Sequence, residues 1–293
     1  MENRELRIEK MKTMIAIHKA DKHSYSSTSR LTRMLLAFVL FNIQFSFLNS
    51  ARAQSQCEYK VTAFSNSETI NYKLYFNWQF IWIKAGTASL STVPTDYKGK
   101  KGYKTSLVTS SSKKIDRYFM MRDTIMSIFT DRLVPLYYRK GAREGKRYYV
   151  DEMWYNYPDS NTCQTTTRHI HDDGRKTVEK HTYHQCMTDM LHAFQQFRNM
   201  DTSDWRKGQS KTVNIAGGSS VVKARLYYRD NKVVKGDDGK KYSCAVISYL
   251  EKDGKKEKEI VRFFVTNDKR HIPIRLDLFL KFGSAKAFFS GMK

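Results

Sequence analysis

Between residues 70 and 82 the chain alternates apolar and polar side chains almost without interruption. The apolar positions are all even-numbered: Ile70, Tyr72, Leu74, Phe76, Trp78, Phe80 and Trp82. Such alternation is typical of a β-strand with one buried face, because successive side chains point to opposite sides. A strand of this length would span roughly 43 Å, which is longer than usual. The segment must therefore bend, or turn near residues 83–86, and its sheet must curl.

The rest of the chain predicts more strands and two helices. Within residues 186–199 a helical spacing of apolar side chains favours a helix that starts near Thr188 and contributes to the core with Met187, Met190, Leu191, Phe194 and Phe197. Residues 112–121 predict a shorter helix. Asp172-Asp173-Gly174 indicates a tight hairpin turn. The expected fold is mainly β: a large curled antiparallel sheet, half-barrel or barrel-like, with about two short helices. The predicted strands are 102–110, 123–130, 136–142, 146–157, 211–215, 221–228, 242–250, 257–265 and, as the last, 272–280, after which Ala285–Phe289 closes the chain.

The N-terminal part has the pattern of a secretory signal peptide. Arg30 and Arg33 precede an apolar run at 34–41, and Ala51-Arg52-Ala53 offers an A-x-A cleavage site. Polar residues at 42, 44 and 46 interrupt the run, which is too short for a membrane-spanning helix. We expect residues 1–53 to be removed after Ala53. Residues 54–293 then form one β-rich domain, periplasmic or associated with the outer membrane.

The chain is strongly basic. It has 52 Lys and Arg against 29 Asp and Glu, a formal net charge of +23. Such a charge attracts polyanions. After export the available anions are phospholipid headgroups, lipopolysaccharide and acidic glycans, so nucleic acid is not an expected partner. The alternative is that scattered Lys and Arg side chains keep an aromatic-rich protein in solution.

All four cysteines follow the predicted cleavage site, where an oxidising compartment allows two disulfides in three connectivities. Cys163 and Cys186 are the expected pair, because the segment between them is predicted to be a hairpin followed by the start of a helix. The alternative is that all four are buried free thiols.

Three blocks of sequence resemble a known family. They are Asn77–Leu90, containing Ala85-Gly86-Thr87-Ala88-Ser89-Leu90; Asp131–Leu136 followed by Arg143–Lys146; and Asp268–Arg275 followed by Lys281–Ser284. In this order they resemble the bacterial exported family catalogued as domain of unknown function 3108. The resemblance implies a sheet-rich envelope protein. It implies no activity, no catalytic residue and no cofactor.

Candidate catalytic and metal-binding groups are few. His169, His171, His181 and His184 lie near Cys163 and Cys186, but their spacing is not typical of zinc ligands, which favours exposed histidines. Asp151 and Glu152 are adjacent and would face opposite sides of a strand. Nucleophile motifs and phosphate-binding glycine loops are absent from the sequence. We therefore predict no catalytic residue, metal or cofactor, and an envelope glycan hydrolase is the least favoured function.

Two binding functions are compatible with this pattern. A curled sheet with a helix across its mouth could enclose an apolar cavity for a lipid or an anionic glycolipid. Basic side chains at its rim would then bind the headgroup: Arg139, Lys140, Arg143, Lys146 and Arg147. Alternatively the apolar face is an ordinary closed core. The second function is assembly with other envelope proteins through an exposed sheet edge.

Overall fold

The computed structural model describes residues 57–78, 81–217, 220–253, 256–280 and 283–293. The predicted signal peptide, with its cleavage after Ala53, lies outside this part of the chain. The strands are β1 Glu68–Trp78, β2 Ile81–Tyr97, β3 Lys100–Ser111, β4 Met121–Thr130, β5 Pro135–Glu144, β6 Arg147–Asp159, β7 Thr162–Ile170, β8 Lys176–Tyr183, β9 Ser210–Gly217, β10 Ser220–Lys235, β11 Lys241–Asp253, β12 Lys256–Thr266, β13 Pro273–Leu280 and β14 Gly283–Met292.

All fourteen strands form one antiparallel sheet in which every strand pairs with its neighbours in sequence, except that β8 and β9 do not pair with each other. The first and last strands also pair, with Leu74 opposite Ala287, so β8 and β9 are the two edges. Among the described residues these two edges do not pair with each other. Thr188, just after β8, forms an isolated parallel bridge to Ile215 of β9. The predicted mainly β, barrel-like fold is confirmed, and the barrel is left open at a seam between β8 and β9.

The alternating segment at 70–82 is two strands rather than one. β1 ends at Trp78, β2 begins at Ile81, and the backbones of these two residues pair. Trp82 pairs with Asn77, so it shares the sheet face of Asn77 and not that of Phe76. The expected turn near residues 83–86 is therefore wrong. This hairpin reverses the parity of the pattern, because it pairs the odd-numbered Asn77 with the even-numbered Trp82 and paired residues lie on the same face.

The antiparallel order puts alternate connections at opposite ends of the barrel. The connections β1–β2, β3–β4, β5–β6, β7–β8, β9–β10, β11–β12 and β13–β14 share one end, which we call the hairpin end. The other connections and the N-terminal segment 57–67 share the opposite end, which we call the loop end.

Two helices are described. α1, Lys113–Asp116, is a single turn in the β3–β4 connection and is shorter than the predicted helix. α2, Met190–Arg198, lies where a helix was expected, but its N-cap is Asp189, whose side chain accepts from the backbone N–H of His192. Leu191 and Phe197 of α2 are buried in the core. Met190, predicted to be core, is 53% exposed.

Candidate functional site

The polar side of α2 is buried as completely as its apolar side. His192, Gln195 and Arg198 have no exposed surface. Burial of a charged group is costly unless it is paired, and Arg198 forms an ion pair with Glu68 at the start of β1. Its Nη2 also donates to the carbonyl of Arg270, 3.2 Å away. The helix is therefore held inside the sheet by polar contacts as well as apolar ones.

Other polar groups of α2 reach different strands. His192 Nε2 lies 2.7 Å from the carbonyl oxygen of Leu133, and Gln195 Nε2 donates to the hydroxyls of Thr92 and Thr105 at 3.1 Å. Asp189 accepts from the hydroxyl of Ser127 at 2.8 Å. These contacts tie α2 to β2, β3, β4 and the β4–β5 connection.

Two of the sequence blocks quoted above are explained by these contacts. Leu133, in the second block, adopts φ 56° and its carbonyl meets His192. His271, in the third block, adopts φ 41°, and its Nδ1 lies 2.8 Å from the carbonyl oxygen of Arg198. Such backbone conformations are rare outside glycine. The first halves of these two blocks are therefore the loops that hold α2 at the loop end.

The concave face of the sheet is consequently a core. The apolar side of α2 packs against strand residues that include Phe263, whose ring centroid is 5.5 Å from that of Phe194 and 5.9 Å from that of Phe197. A helix across the mouth of an apolar cavity, which the sequence suggested as one alternative, is not the arrangement here. The helix occupies the concavity, because its polar groups find partners on the surrounding strands.

Asp189 and His192 predict a specific dependence of stability on pH. Burial raises the pKa of Asp189 to about 6 and lowers the pKa of His192 to about 4. The Asp189 contribution to the free energy of unfolding therefore falls as pH rises from about 4 to 6. The His192 contribution falls as pH drops from about 6.5 to 4. The two effects oppose each other in one window.

Replacing either residue should therefore reveal the pH dependence of stability that the other residue contributes. When the pH falls from 6.5 to 4, the free energy of unfolding of Asp189→Asn should decrease by about 3 kcal/mol more than that of the wild type. The variant lacks the stabilisation that the wild type gains from Asp189, whose pKa is raised by about two units on folding. His192→Gln should show the opposite slope. Urea unfolding followed by circular dichroism at several pH values measures both. Curves parallel to the wild type would contradict the buried titrations.

The predicted Cys163–Cys186 disulfide is wrong. Cys186 is bonded to Cys57, with their Cα atoms 5.3 Å apart, and Cys163 is a buried free thiol. β7 pairs Cys163 with Tyr183, so the hairpin is already fixed by its backbone ladder when the chain reaches Cys186. There the chain passes the N-terminal segment. The bond therefore joins that segment to the loop before α2. Burial raises the pKa of Cys163 to about 11, which disfavours the reactive thiolate.

The histidines near these cysteines are divided among different partners. His169 Nδ1 lies 2.5 Å from Asp151 Oδ1, and His181 Nε2 lies 3.2 Å from Glu179 Oε2. His169 and His171 share a strand face as the sequence suggested, with ring centroids 4.2 Å apart. Within the described ranges no three His, Cys, Asp or Glu side chains are arranged to hold a metal ion.

The five predicted headgroup-binding residues do not converge on one point. Lys140 faces the concave side, where its Nζ is 2.8 Å from the hydroxyl of Tyr149. Arg139 is the next residue along β5 and lies on the opposite face. Arg143, Lys146 and Arg147 are exposed and do lie together, on either side of the β5–β6 turn at the hairpin end.

The same end carries most of the exposed apolar surface. Eleven large apolar side chains are exposed in the part of the chain that is described, and seven of them are at the hairpin end: Ile81, Trp82, Ile83, Tyr118, Phe119, Tyr148 and Leu280. They come from four different connections. Tyr118 is 86% exposed and Ile81 66%, so they are not parts of a core.

Basic side chains are interleaved with this apolar surface. Lys286 Nζ lies 4.1 Å from the ring centroid of Trp82, and the Arg143 guanidinium lies 6.0 Å from that of Tyr148. Exposed Lys and Arg residues in or beside the connections of the hairpin end also include Lys84, Lys113, Lys114, Arg117, Lys146, Arg147, Arg175, Lys176, Lys252 and Lys256. The hairpin end is therefore both apolar and positively charged.

A cleft of about 400 Å³ lies at the open seam. Its apolar floor comes from Met153 of β6, Met190 of α2, and Ile215 and Ala216 of β9. Its polar wall includes Asp151, Thr167, His169, Thr177 and Glu179 of the concave face of β6, β7 and β8. Tyr138 and the ion pair of Glu152 with Arg168 also line the cleft. We call this feature the seam cleft.

The outer edge of β8 has no strand beside it among the described residues. A bare edge is the feature required for the predicted assembly function. However, Lys176 and Lys180 are exposed along β8, and charged side chains, lysine above all, are a common protection of edges against pairing with another chain.

The fold and these surfaces define a class: a β-barrel-like protein with a helix buried in its concavity and an apolar, basic end. The particular family follows from the sequence. Residues 71–290 match the family described as "Protein of unknown function (DUF3108)", and the chain belongs to that family. The resemblance noted from the three blocks is thereby confirmed.

One solved structure supports the fold. A β-barrel-like protein of domain of unknown function DUF1849 from Brucella abortus superposes with a TM-score of 0.54 at 10% identity, covering 80% of this chain and 98% of that chain. A "putative lipoprotein" from Parabacteroides distasonis, at 11% identity over 81% of this chain and 99% of its own, has a TM-score of 0.29, too low to support an argument. No curated protein matches the chain. No helix in the described ranges is long and apolar enough to span a membrane.

Sequence reasoning missed the apolar half of the hairpin end. Tyr118 and Phe119 were assigned to a helix, and Ile81, Trp82 and Ile83 to a long strand or its turn. The available signal was local: a short helix cannot bury two adjacent aromatic residues that follow Lys113, Lys114 and Arg117. The seam cleft had no such signal, because its walls come from segments as far apart as Asp151 and Ala216.

Proposed function

We propose that this protein is an exported cell-envelope protein that binds anionic lipid headgroups at a membrane surface through its hairpin end. The observation that carries the proposal is the grouping of seven exposed apolar side chains with many exposed Lys and Arg side chains at one end of the barrel. Arg143, Lys146 and Arg147 belong to this group. Arg139 and Lys140, the other two predicted residues, do not.

The chemistry of the hairpin end suits a bilayer interface. Trp and Tyr are favoured at the headgroup level, where one end of the side chain is apolar and the other is wet. Apolar side chains that enter the interface gain the energy of removal from water. Each Lys or Arg near an anionic membrane adds about 1 kcal/mol of attraction. Seven apolar and numerous basic side chains on one end therefore favour a lipid surface as the partner.

Vesicle flotation tests the proposal. We expect residues 54–293 to float with phosphatidylglycerol-containing vesicles and not with pure phosphatidylcholine vesicles. Reversing Arg143, Lys146 and Arg147 to Glu should weaken the binding at least about 100-fold, because three charges change sign at about 1 kcal/mol each. Vesicles with lipopolysaccharide in place of phosphatidylglycerol show which source of phosphate is preferred.

A matched control uses the same number of charges at the loop end. Lys98, Lys240 and Lys269 are exposed in three loop-end connections. Reversing these three to Glu changes the net charge equally and should alter vesicle binding less than about threefold if the hairpin end is the surface in contact. Equal losses in the two triple variants would show attraction by net charge alone and would overturn the proposal.

A further inference from the structure

We propose that the seam cleft binds one amphiphile whose headgroup is a primary ammonium, with its chain on the apolar floor. This site rests on the proposed function for its supply of lipid, and its position fits that supply. Ile215 and Ala216 are among the last residues of β9, and Thr177 is the second residue of β8, so the cleft lies beside the hairpin end. A lipid at the membrane surface reaches the cleft without crossing the core.

The floor of the cleft fits a hydrocarbon chain. Met190 is the first residue of α2, and it is 53% exposed although its neighbours Asp189 and Leu191 are buried. Together with Met153, Ile215 and Ala216 it offers a flexible thioether side chain on an apolar surface. Methionine adapts to irregular apolar ligands. A volume of about 400 Å³ is within the range of small-ligand sites.

The wall of the cleft fits a cation rather than an anion. Asp151 and Glu179 face the cleft from β6 and β8, and both side chains are 40% exposed. Each is near a histidine, His169 or His181, which leaves carboxylate oxygens open to further donors. A primary ammonium has three N–H donors for such oxygens. The cleft therefore differs in sign from the basic surface beside it.

Three lysolipids with the same acyl chain test the headgroup. Lysophosphatidylethanolamine has three N–H donors, lysophosphatidylcholine has the same charge without them, and lysophosphatidylglycerol has no ammonium. Calorimetric titration below the micelle concentration should show the ethanolamine lipid binding residues 54–293 at least tenfold more tightly than the other two. Equal binding of the ethanolamine and choline lipids would overturn the proposal, whatever any variant does.

Two variants locate the binding. Asp151→Asn combined with Glu179→Gln should reduce the ethanolamine preference to about onefold, and a preference that persists would overturn the proposal. Met190→Asp should weaken the binding of all three lysolipids at least tenfold. Val178→Asp is its matched control, since Val178 is 57% exposed and alternates with the cleft residues Thr177 and Glu179 on β8. Equal loss in Val178→Asp would place the lipid elsewhere.

The two proposals fail separately. Met190 lies outside the hairpin end, so the Met190→Asp variant should float with vesicles like the wild type. Vesicle binding without discrimination among the lysolipids would refute the cleft alone. Discrimination among the lysolipids without vesicle binding would refute the membrane surface alone.

Discussion

Replacing Arg198 by methionine will lower the free energy of unfolding by about 3–5 kcal/mol, which is the usual cost of removing one partner of a buried ion pair. Arg198 is fully buried and Glu68 is 6% exposed. Without the guanidinium, the cation that remains near Glu68 in the described part of the chain is Arg270, at 4.0 Å and on a half-exposed side chain. The carboxylate would then be buried with little compensation. Urea unfolding near pH 7 measures the loss.

A double variant tests whether the charge is the cause. Replacing Arg198 by methionine and Glu68 by leucine removes both charges and keeps apolar volume in their place. Because buried ion pairs replaced in this way often cost little, we expect the double variant to recover to within about 2 kcal/mol of the wild type. If it is less stable than Arg198→Met alone, the loss comes from packing around the helix and not from the unpaired carboxylate.

Gly86→Ala is the second substitution with a large expected effect. A Cβ at Gly86 would lie 2.1 Å from the carbonyl oxygen of Ser110 and 2.9 Å from the Cα of Ser111. Both are backbone atoms of β3, so the steric clash can be relieved only if β2 and β3 move apart. The register against β1 also shifts here, where Leu74 pairs with Gly86 and Tyr75 with Lys84. We expect a loss of about 3 kcal/mol in urea unfolding, at the upper end for overpacking.

Gly141→Ala is the matched control within the same sheet. Its added Cβ would meet Arg139 Nη1 at 3.1 Å, which is the far end of a flexible side chain. We expect a change below about 1 kcal/mol, because that side chain can move. Similar losses for the two glycines would show that the close approach of β2 and β3 does not determine the effect, because chain entropy by itself favours alanine at both positions. The contact explains why the first sequence block contains Ala85-Gly86.

The candidate surfaces could be predicted only in part. Arg143, Lys146 and Arg147 were accessible to sequence reasoning, because a hairpin around residues 143–145 places them on one exposed turn. Their aromatic neighbours were not, since Tyr118 and Phe119 approach that turn across the sheet: Phe119 lies 3.4 Å from the position of a Cβ on Gly145. The disulfide was mispredicted for the same reason, because Cys57 and Cys186 are 129 residues apart.

The sequence alone determined the features that depend on a few neighbouring residues. Alternation identified the strands, and Asp172-Asp173-Gly174 identified a turn in which Gly174 indeed adopts φ 83°. The three blocks identified the family. The tertiary structure decided where α2 lies and what its polar side contacts. An amphipathic helix predicts one solvated face, but His192, Gln195 and Arg198 are enclosed by strands that are distant in sequence. The partners of a buried polar group and the neighbours of an exposed aromatic group depend on how β1 and β14 meet and on where the sheet stays open. Short-range periodicity contains no information about these long-range contacts.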